Sequence, residues 1–501
     1  MKNLSFKKER IMWILALFYS VALAGLTVIR MFDNYIWGDE GFTINFSKLT
    51  LSEMCGETAR DVHPPLYYIF AIMINRLFGD SVWVYHLLSV IPYVVMIVVA
   101  LTFVWKKFGA ASSFIFISFA SLLQVSIKYN IEARMYSWAA LFVFLAYCEL
   151  YCIMQKEQWI HYILFGLYSL GAAYTHYYAL LSVAFFYLFL LFRMFFVRKS
   201  IIKVLSICVA TVLAYLPWLS ILLNTFDRVS QAYWIEGIPD LWMCIRYTFA
   251  TGKTWSGRSW TTELYVAVFA ISTIMVVVYG LCGKGAFLFR NSLHETGSDE
   301  MGGVINNISD KMLSQYIIAG WAAIFGTVIV GDLVSYLYRP LLSMRYVYPV
   351  ATVAWVLTGI AISRLKFSSI ITMGLVILII AVGQQDYRDV FAQEKKYDSM
   401  LADTLAQIGP LGQDDLILNH NGQIAWTVVD YYFPDNERIE YSANNLPELH
   451  KENTYWIFAG EELKDIYKEW LDSQGFYIVE VCHDGWMGDK TIYTYKLLIK
   501  Q

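Results

Sequence analysis

The chemistry-bearing residues of this chain fall into a few short stretches. WGDEGF sets Asp39 and Glu40 side by side, and DVHPPLYY places Asp61 and His63 ahead of a proline pair. SIKYNIEARMYSW carries Lys128, Glu132 and Arg134; AAYTHYYALL carries His176, Tyr177 and Tyr178; RPLLSMRYVYP carries Arg339, Arg345 and Tyr346. Each alone has an ordinary reading. Acids in loops are mostly solvated, a residue before proline is held extended, a lone arginine near a bilayer snorkels, and His with Tyr fits an interfacial aromatic belt. Together they suit transfer of a group from a phosphate leaving group to a hydroxyl. A carboxylate takes the acceptor proton, and arginines and lysines stabilise charge developing on the departing phosphate.

The elements that must hold these residues are membrane helices. Of 501 residues, 58% are hydrophobic and only 16% charged, against roughly 25% charged in soluble proteins. Apolar runs occupy residues 11–30, 82–105, 109–127, 135–155, 159–175, 177–197, 201–223, 262–282, 315–334, 346–363 and 368–384. Eleven spans of a polytopic α-helical membrane protein are therefore expected. The first run, Ile11 to Ile29, is too long for a signal peptide and reads as a retained helix. The stretch 64–79 is shorter, opens with Pro64 and Pro65, carries Asn75 and Arg76, and reads as an interfacial helix.

Positive charge on short loops orients the spans. Lys106, Lys107, Lys156, Arg198, Lys199, Lys203, Lys284, Arg290, Arg364 and Lys366 all fall on one side. That side is cytoplasmic, together with the N-terminus. Residues 31–81, 128–134, 175–177, 224–261 and 335–345 then lie outside, where ionisable groups at membrane level are functional candidates.

Charge also divides the chain. Residues 386–501 hold 21 acids and 10 Lys/Arg, whereas the first 385 residues hold 20 acids and 28 bases. The expected domains are thus a transmembrane catalytic domain, 1–385, and a solvated extracytoplasmic α/β domain, 386–501. In the latter, DLILNH, TYWIFAG, FYIVEVC and TIYTYKLLIK read as strands and EELKDIYKEWLDSQ as an amphipathic helix. No phosphate-binding glycine loop occurs in this tail, no internal repeat in the chain, and no zinc spacing among the seven cysteines.

The order Asp-Glu, DVHPPLYY, EARMYSW, THYYALL and MRYVYP closely resembles the GT-C membrane glycosyltransferases, nearest to the bacterial protein O-mannosyltransferase and aminoarabinose transferase branch. The resemblance covers about residues 11–385 and leaves out the acidic tail. It implies a polyprenyl-phosphate sugar donor and a hydroxyl-bearing acceptor (envelope glycan, glycolipid or protein). Transfer would invert the anomeric carbon at the outer face of the cell membrane. It makes Asp39 the general base with Glu40 beside it. His63, Arg134, Arg345 and Tyr346 would hold the donor phosphate, and Asp61, Glu132, His176, Tyr177 and Trp234 would line the pocket. His63 stands where some relatives carry lysine. Loop 224–261 matches the loop that covers the donor. No later acidic pair of the metal-dependent type is present, so no cofactor or metal is implied, although Asp39 and Glu40 could hold a divalent ion. No nucleic-acid partner is implied. The rival reading is a transporter or flippase of a lipid-linked sugar, which would use the same cationic pocket without chemistry. The matching broken helices of many transporters are not evident in the sequence.

Overall fold

The computed structural model describes residues 2–197, 201–231, 235–252, 259–283, 309–420, 425–483, 486 and 492–500. The chain forms two compact units. The first comprises residues 1–29, 52–67 and 87–389; the second comprises 30–51, 68–86 and 390–501.

The first unit is a helical membrane bundle. Among the described residues of the chain, eight helices are long and apolar enough to cross a membrane. Three further expected spans fall on the helices Ala110–Leu122, Trp159–Thr175 and Tyr177–Val197, of 13, 17 and 21 residues. The helix Leu66–Phe78 has 13 residues, short for a crossing.

The bundle is organised around Tyr348–Ser363. This helix is apolar on every side and buried from Tyr348 to Ile362, as an element enclosed by other helices must be. It packs against Ala110–Leu122, Tyr136–Gln155, Trp260–Cys282 and Asp310–Leu337. Gly359 permits the first of these contacts, because a Cβ there would lie 2.8 Å from the Ser112 backbone. Trp355 is fully buried and donates Nε1–H to the Thr248 carbonyl at 2.8 Å, satisfying its one polar atom. At the bundle's rim, Ile201–Val229 buries only 17% of its apolar window and presents the rest outward.

The expected span 109–127 is interrupted. The helix from Ala110 ends at Leu122, Leu123 is extended, and a new turn runs from Gln124 to Tyr129. Gln124 N–H is thereby freed to reach the Ala250 carbonyl at 3.1 Å, and Ser126 Oγ–H reaches the Phe119 carbonyl at 2.8 Å. The break delivers the segment 128–135 with its charged residues.

The second unit is built on a five-stranded sheet of β1 (Leu416–His420), β2 (Arg438–Tyr441), β3 (Tyr455–Ala459), β4 (Phe476–Cys482) and β5 (Tyr493–Ile499) in the order β2-β1-β3-β5-β4. β1 is parallel to β2 and β3, and the remaining pairs are antiparallel. The two-residue period of a strand is plain in β3. Tyr455, Ile457 and Ala459 join a core with Tyr441, Trp470, Phe476 and Leu497, whereas Phe458 stacks on Phe433 and meets Trp486 edge to face.

Four helices matter in this unit: α1 (Gly38–Ser47), α2 (Ser368–Ile408), α3 (Ala425–Tyr432) and α4 (Asp465–Ser473). α2 enters it at Val390 and ends at Gly409, whose φ of 69° closes it. Its acidic and basic side chains fasten residues 30–35. Arg30 pairs with Glu394, Asp33 accepts from Lys395 at 2.5 Å, and Asp398 accepts the backbone N–H groups of Asn34 and Tyr35 at 3.0 and 2.6 Å.

Candidate functional site

In the first unit, the segment 61–65 emerges from the helix Leu51–Arg60. A helix end leaves carbonyls without intrahelical partners. Here the Asp61 N–H takes those of Glu57 and Thr58. The Arg228 guanidinium takes the rest, donating to Ala59, Arg60 and Asp61 carbonyls at 3.0, 2.5 and 3.3 Å, with Thr225 Oγ1 at 3.1 Å. Sequence reasoning passed over Arg228, since an arginine at the end of an apolar helix reads as a lipid anchor.

Fixed in this way, Asp61 accepts the Nδ1 proton of His63 at 3.1 Å. His63 is buried, and so is His176, whose ring lies 6.1 Å away. His176 sits between Trp159–Thr175 and Tyr177–Val197. Its Nδ1 accepts the Tyr178 N–H at 3.1 Å, so the ring proton resides on Nε2, available as a donor. Tyr346 lies 5.2 Å from both His176 and Tyr178, and the Arg345 guanidinium is 5.7 Å over the Tyr346 ring.

The electrostatics follow from this crowding. Burial holds His63 below its ordinary value, with the charges of Arg134 and Arg345 acting in the same direction and Asp61 only partly opposing. His176 is held well below, first by burial and then by His63, Arg345 and Arg134. The Asp61 carboxyl is pushed up by burial, but its hydrogen bond and charge contact with His63 prevail and bring it below the usual range. The group is thus an electropositive pocket with two neutral imidazoles at neutral pH.

Three members of this group, His63, His176 and Tyr346, also line an apolar cavity. The cavity, of about 270 Å³, is lined by His63, His176, Tyr177, Tyr178 and Tyr346 at polar positions and by Val62, Leu181, Leu222, Phe226 and Val330 among others. Gly331 also lines it, where a Cβ would press to 2.8 Å from the Tyr178 ring.

Of the expected site residues, Asp61, His63, Arg134, His176, Arg345, Tyr346 and Tyr177 come together in this unit. Tyr177 Oη accepts from Trp218 Nε1 at 3.2 Å. Glu132 is buried, lies 3.3 Å from Lys128 Nζ, and its backbone carbonyl accepts from Ser89 at 2.5 Å. It belongs to the loop that carries Arg134 rather than to the cavity wall. Trp234 lies outside the described residues.

Asp39 and Glu40 belong to the second unit, in the first turn of α1. Asp39 is half-buried, whereas Glu40 is buried and turned into the structure. Its Oε2 accepts the Trp37 N–H at 3.0 Å, as an N-terminal capping acid does, and its Oε1 lies 3.5 Å from His86 Nε2. His86 in turn donates Nδ1–H to the Met31 carbonyl at 3.0 Å. His86 was not legible as a partner, because it lies in the apolar run 82–105.

One His/Cys/carboxylate group with ligand atoms within 4.8 Å of one another occurs among the described residues: Glu149, Cys152 and His161. Glu149 and His161 already satisfy each other at 2.7 Å.

No family model matches this sequence, and no curated protein matches it. Solved structures do. ArnT from Cupriavidus metallidurans bound to undecaprenyl phosphate superposes with a TM-score of 0.59 at 11% identity, over 95% of this chain and 97% of that one. ArnT from the same organism in the apo state gives a TM-score of 0.41 at 12% identity, over 96% and 97%. The likeness to the first is one of fold. Its coverage leaves too few residues unmatched to omit the acidic tail, which the sequence resemblance did not reach.

Proposed function

We propose that this multi-pass membrane protein is a glycosyltransferase that moves a sugar from a polyprenyl-phosphate donor to an acceptor hydroxyl at the outer face of the membrane. The observation that carries the reading is the cavity in the first unit. Its wall is largely apolar but includes His63, His176 and Tyr346, and the charges of Arg134 and Arg345 act on both histidines. These are the two chemistries of a lipid phosphate, in a fold that ArnT displays with undecaprenyl phosphate bound.

The roles follow from the residue chemistry. Arg134 and Arg345 carry permanent charge and suit bidentate contact with phosphate oxygens. His176 offers its Nε2–H and Tyr346 its hydroxyl. His63 can take up a proton as the donor's phosphodiester monoanion departs as the polyprenyl phosphate dianion, which raises the proton affinity of the imidazole. The apolar wall of Leu181, Leu222, Val330 and Val334 takes the first isoprene units.

Asp39 is the general base. It removes the acceptor hydroxyl proton as the oxygen attacks the anomeric carbon. The bond from that carbon to the phosphate oxygen breaks, and its electron pair departs with polyprenyl phosphate, giving inversion. Glu40 acts as a positioning residue, since its carboxylate is committed to the Trp37 N–H and faces His86. The reading requires no metal. The N-terminus is cytoplasmic and the second unit extracytoplasmic, by the distribution of Lys and Arg on short loops.

The test is purified protein with a labelled polyprenyl-phosphate sugar and an envelope fraction as acceptor source. Label in the acceptor together with stoichiometric polyprenyl phosphate is expected. Donor crossing vesicle membranes with its sugar–phosphate bond intact would establish a transporter instead.

A further inference from the structure

The acidic tail has no assigned role, yet one of its helices is built into the helix that carries Asp39. Within the second unit, α1 and α3 pack face to face. The contact is at backbone distance. A Cβ on Gly41 would fall 2.7 Å from the carbonyl carbon and oxygen of Thr427 and 3.0 Å from its Oγ1. Only glycine fits, because the two closest atoms are main chain, which cannot turn aside. Thr427 Oγ1 donates to the Gly38 carbonyl at 2.8 Å, and Asn45 Nδ2 reaches the Thr427 carbonyl at 3.4 Å. Thr43, Ile44, Val428 and Val429 are fully buried beside these bonds.

Asp39 therefore sits in a turn fixed on both sides. Gly38 is held through its carbonyl by Thr427, Glu40 through its carboxylate by the Trp37 N–H and the His86 ring, and Gly41 by contact with α3. The far end of α1 is pinned as well. Ser47 Oγ and Tyr85 Oη are 2.7 Å apart, Lys48 pairs with Asp80 at 2.9 Å, and Tyr431 of α3 donates to the Asp80 carbonyl at 3.1 Å. α3 is itself anchored on the sheet, following β1 and packing on β3. A solvated appendage would need none of this.

We propose that the C-terminal sheet domain is a positioning part of the catalytic site, with Thr427 and Gly41 as the residues through which it sets the place of Asp39. The inference rests on the reading of Asp39 as the base. Displacement of a reacting group by about 1 Å can cost on the order of a hundredfold in rate, so the seat of α1 matters to turnover far more than to donor affinity.

The experiment uses the full chain in detergent or nanodiscs, with the transfer assay and a separate donor-binding measurement. Thr427→Val keeps the shape and removes the hydroxyl, and Thr427→Ser restores it. Thr427→Val is expected to lower kcat about tenfold or more with donor KM within about twofold, and Thr427→Ser to recover most of the loss. Gly41→Ala is expected to lower kcat further in the same pattern. Wild-type kcat in Thr427→Val, or an equal loss in Thr427→Ser, overturns the proposal even where Gly41→Ala fails to fold. Asp39→Asn run beside them separates the two readings. Undiminished transfer in Asp39→Asn refutes the base, whereas loss there with wild-type kcat in Thr427→Val refutes only the positioning role.

Discussion

Replacing Arg228 with alanine should loosen the segment that presents Asp61 and His63. The guanidinium holds the carbonyls of Ala59, Arg60 and Asp61, the last acceptors of their helix turn. A hydrogen bond from a charged donor contributes roughly 1.5–3 kcal/mol, so three give a gross value of about 6 kcal/mol. Ordering an arginine side chain costs about 2 kcal/mol, and exposure to solvent screens much of what is left. The net local effect is about 1–2 kcal/mol, or a five- to thirtyfold rise in opening of the turn. Hydrogen–deuterium exchange in detergent reads this directly, with faster exchange expected at residues 58–63 and no change in the sheet domain. Arg228→Lys should recover little, since an ammonium cannot fork across three carbonyls. Unchanged exchange at 58–63 in Arg228→Ala, or full rescue by lysine, would refute the argument that this side chain holds the turn.

Other consequences are equally open to measurement. His63 and His176 are both held below their ordinary values, so the folded state favours their neutral forms. Their stabilising contribution is fully present above the unfolded value of about 6.5 and is lost as pH falls through the lowered folded values. Thermal melts between pH 7.5 and 4.5 should decline on the acid side, less steeply in His63→Gln. In the second unit, Trp486 is fully buried against Tyr432, Phe433 and Phe458 and donates to Thr494 Oγ1 at 3.1 Å. Trp486→Ala should cost about 3–5 kcal/mol, visible as an early loss of protection in the strands.

Hydropathy made most of the membrane bundle legible, because helices such as Val82–Phe108 and Asp310–Leu337 are long and apolar. Four of the five strands were legible from β-branched and aromatic runs. β2 was not: RIEY is short and half charged, and only Tyr441 is buried. α3 escaped notice too, since AWTVVDYY is rich in residues that favour strands. α2 runs to Ile408, well past the fall in hydropathy at Asp386, because QQDYRDVFAQEKKYDSMLADTLAQI contains no glycine or proline to stop it. Within the site, types and spacing singled out Asp61, His63, His176 and Tyr346 before their contacts were known. What sequence could not reveal were partners far along the chain. Thr427 meets Gly38 across 389 positions, and nothing in either stretch announces the other.

The central claim is that Asp39 is the base of a sugar transfer from a lipid phosphate. Transfer rate and donor affinity measured side by side in Asp39→Asn test it most directly. Asn keeps the size of the side chain and removes its basicity, so the account predicts a fall in kcat of at least a hundredfold with donor affinity nearly unchanged. Transfer at the wild-type rate would contradict it.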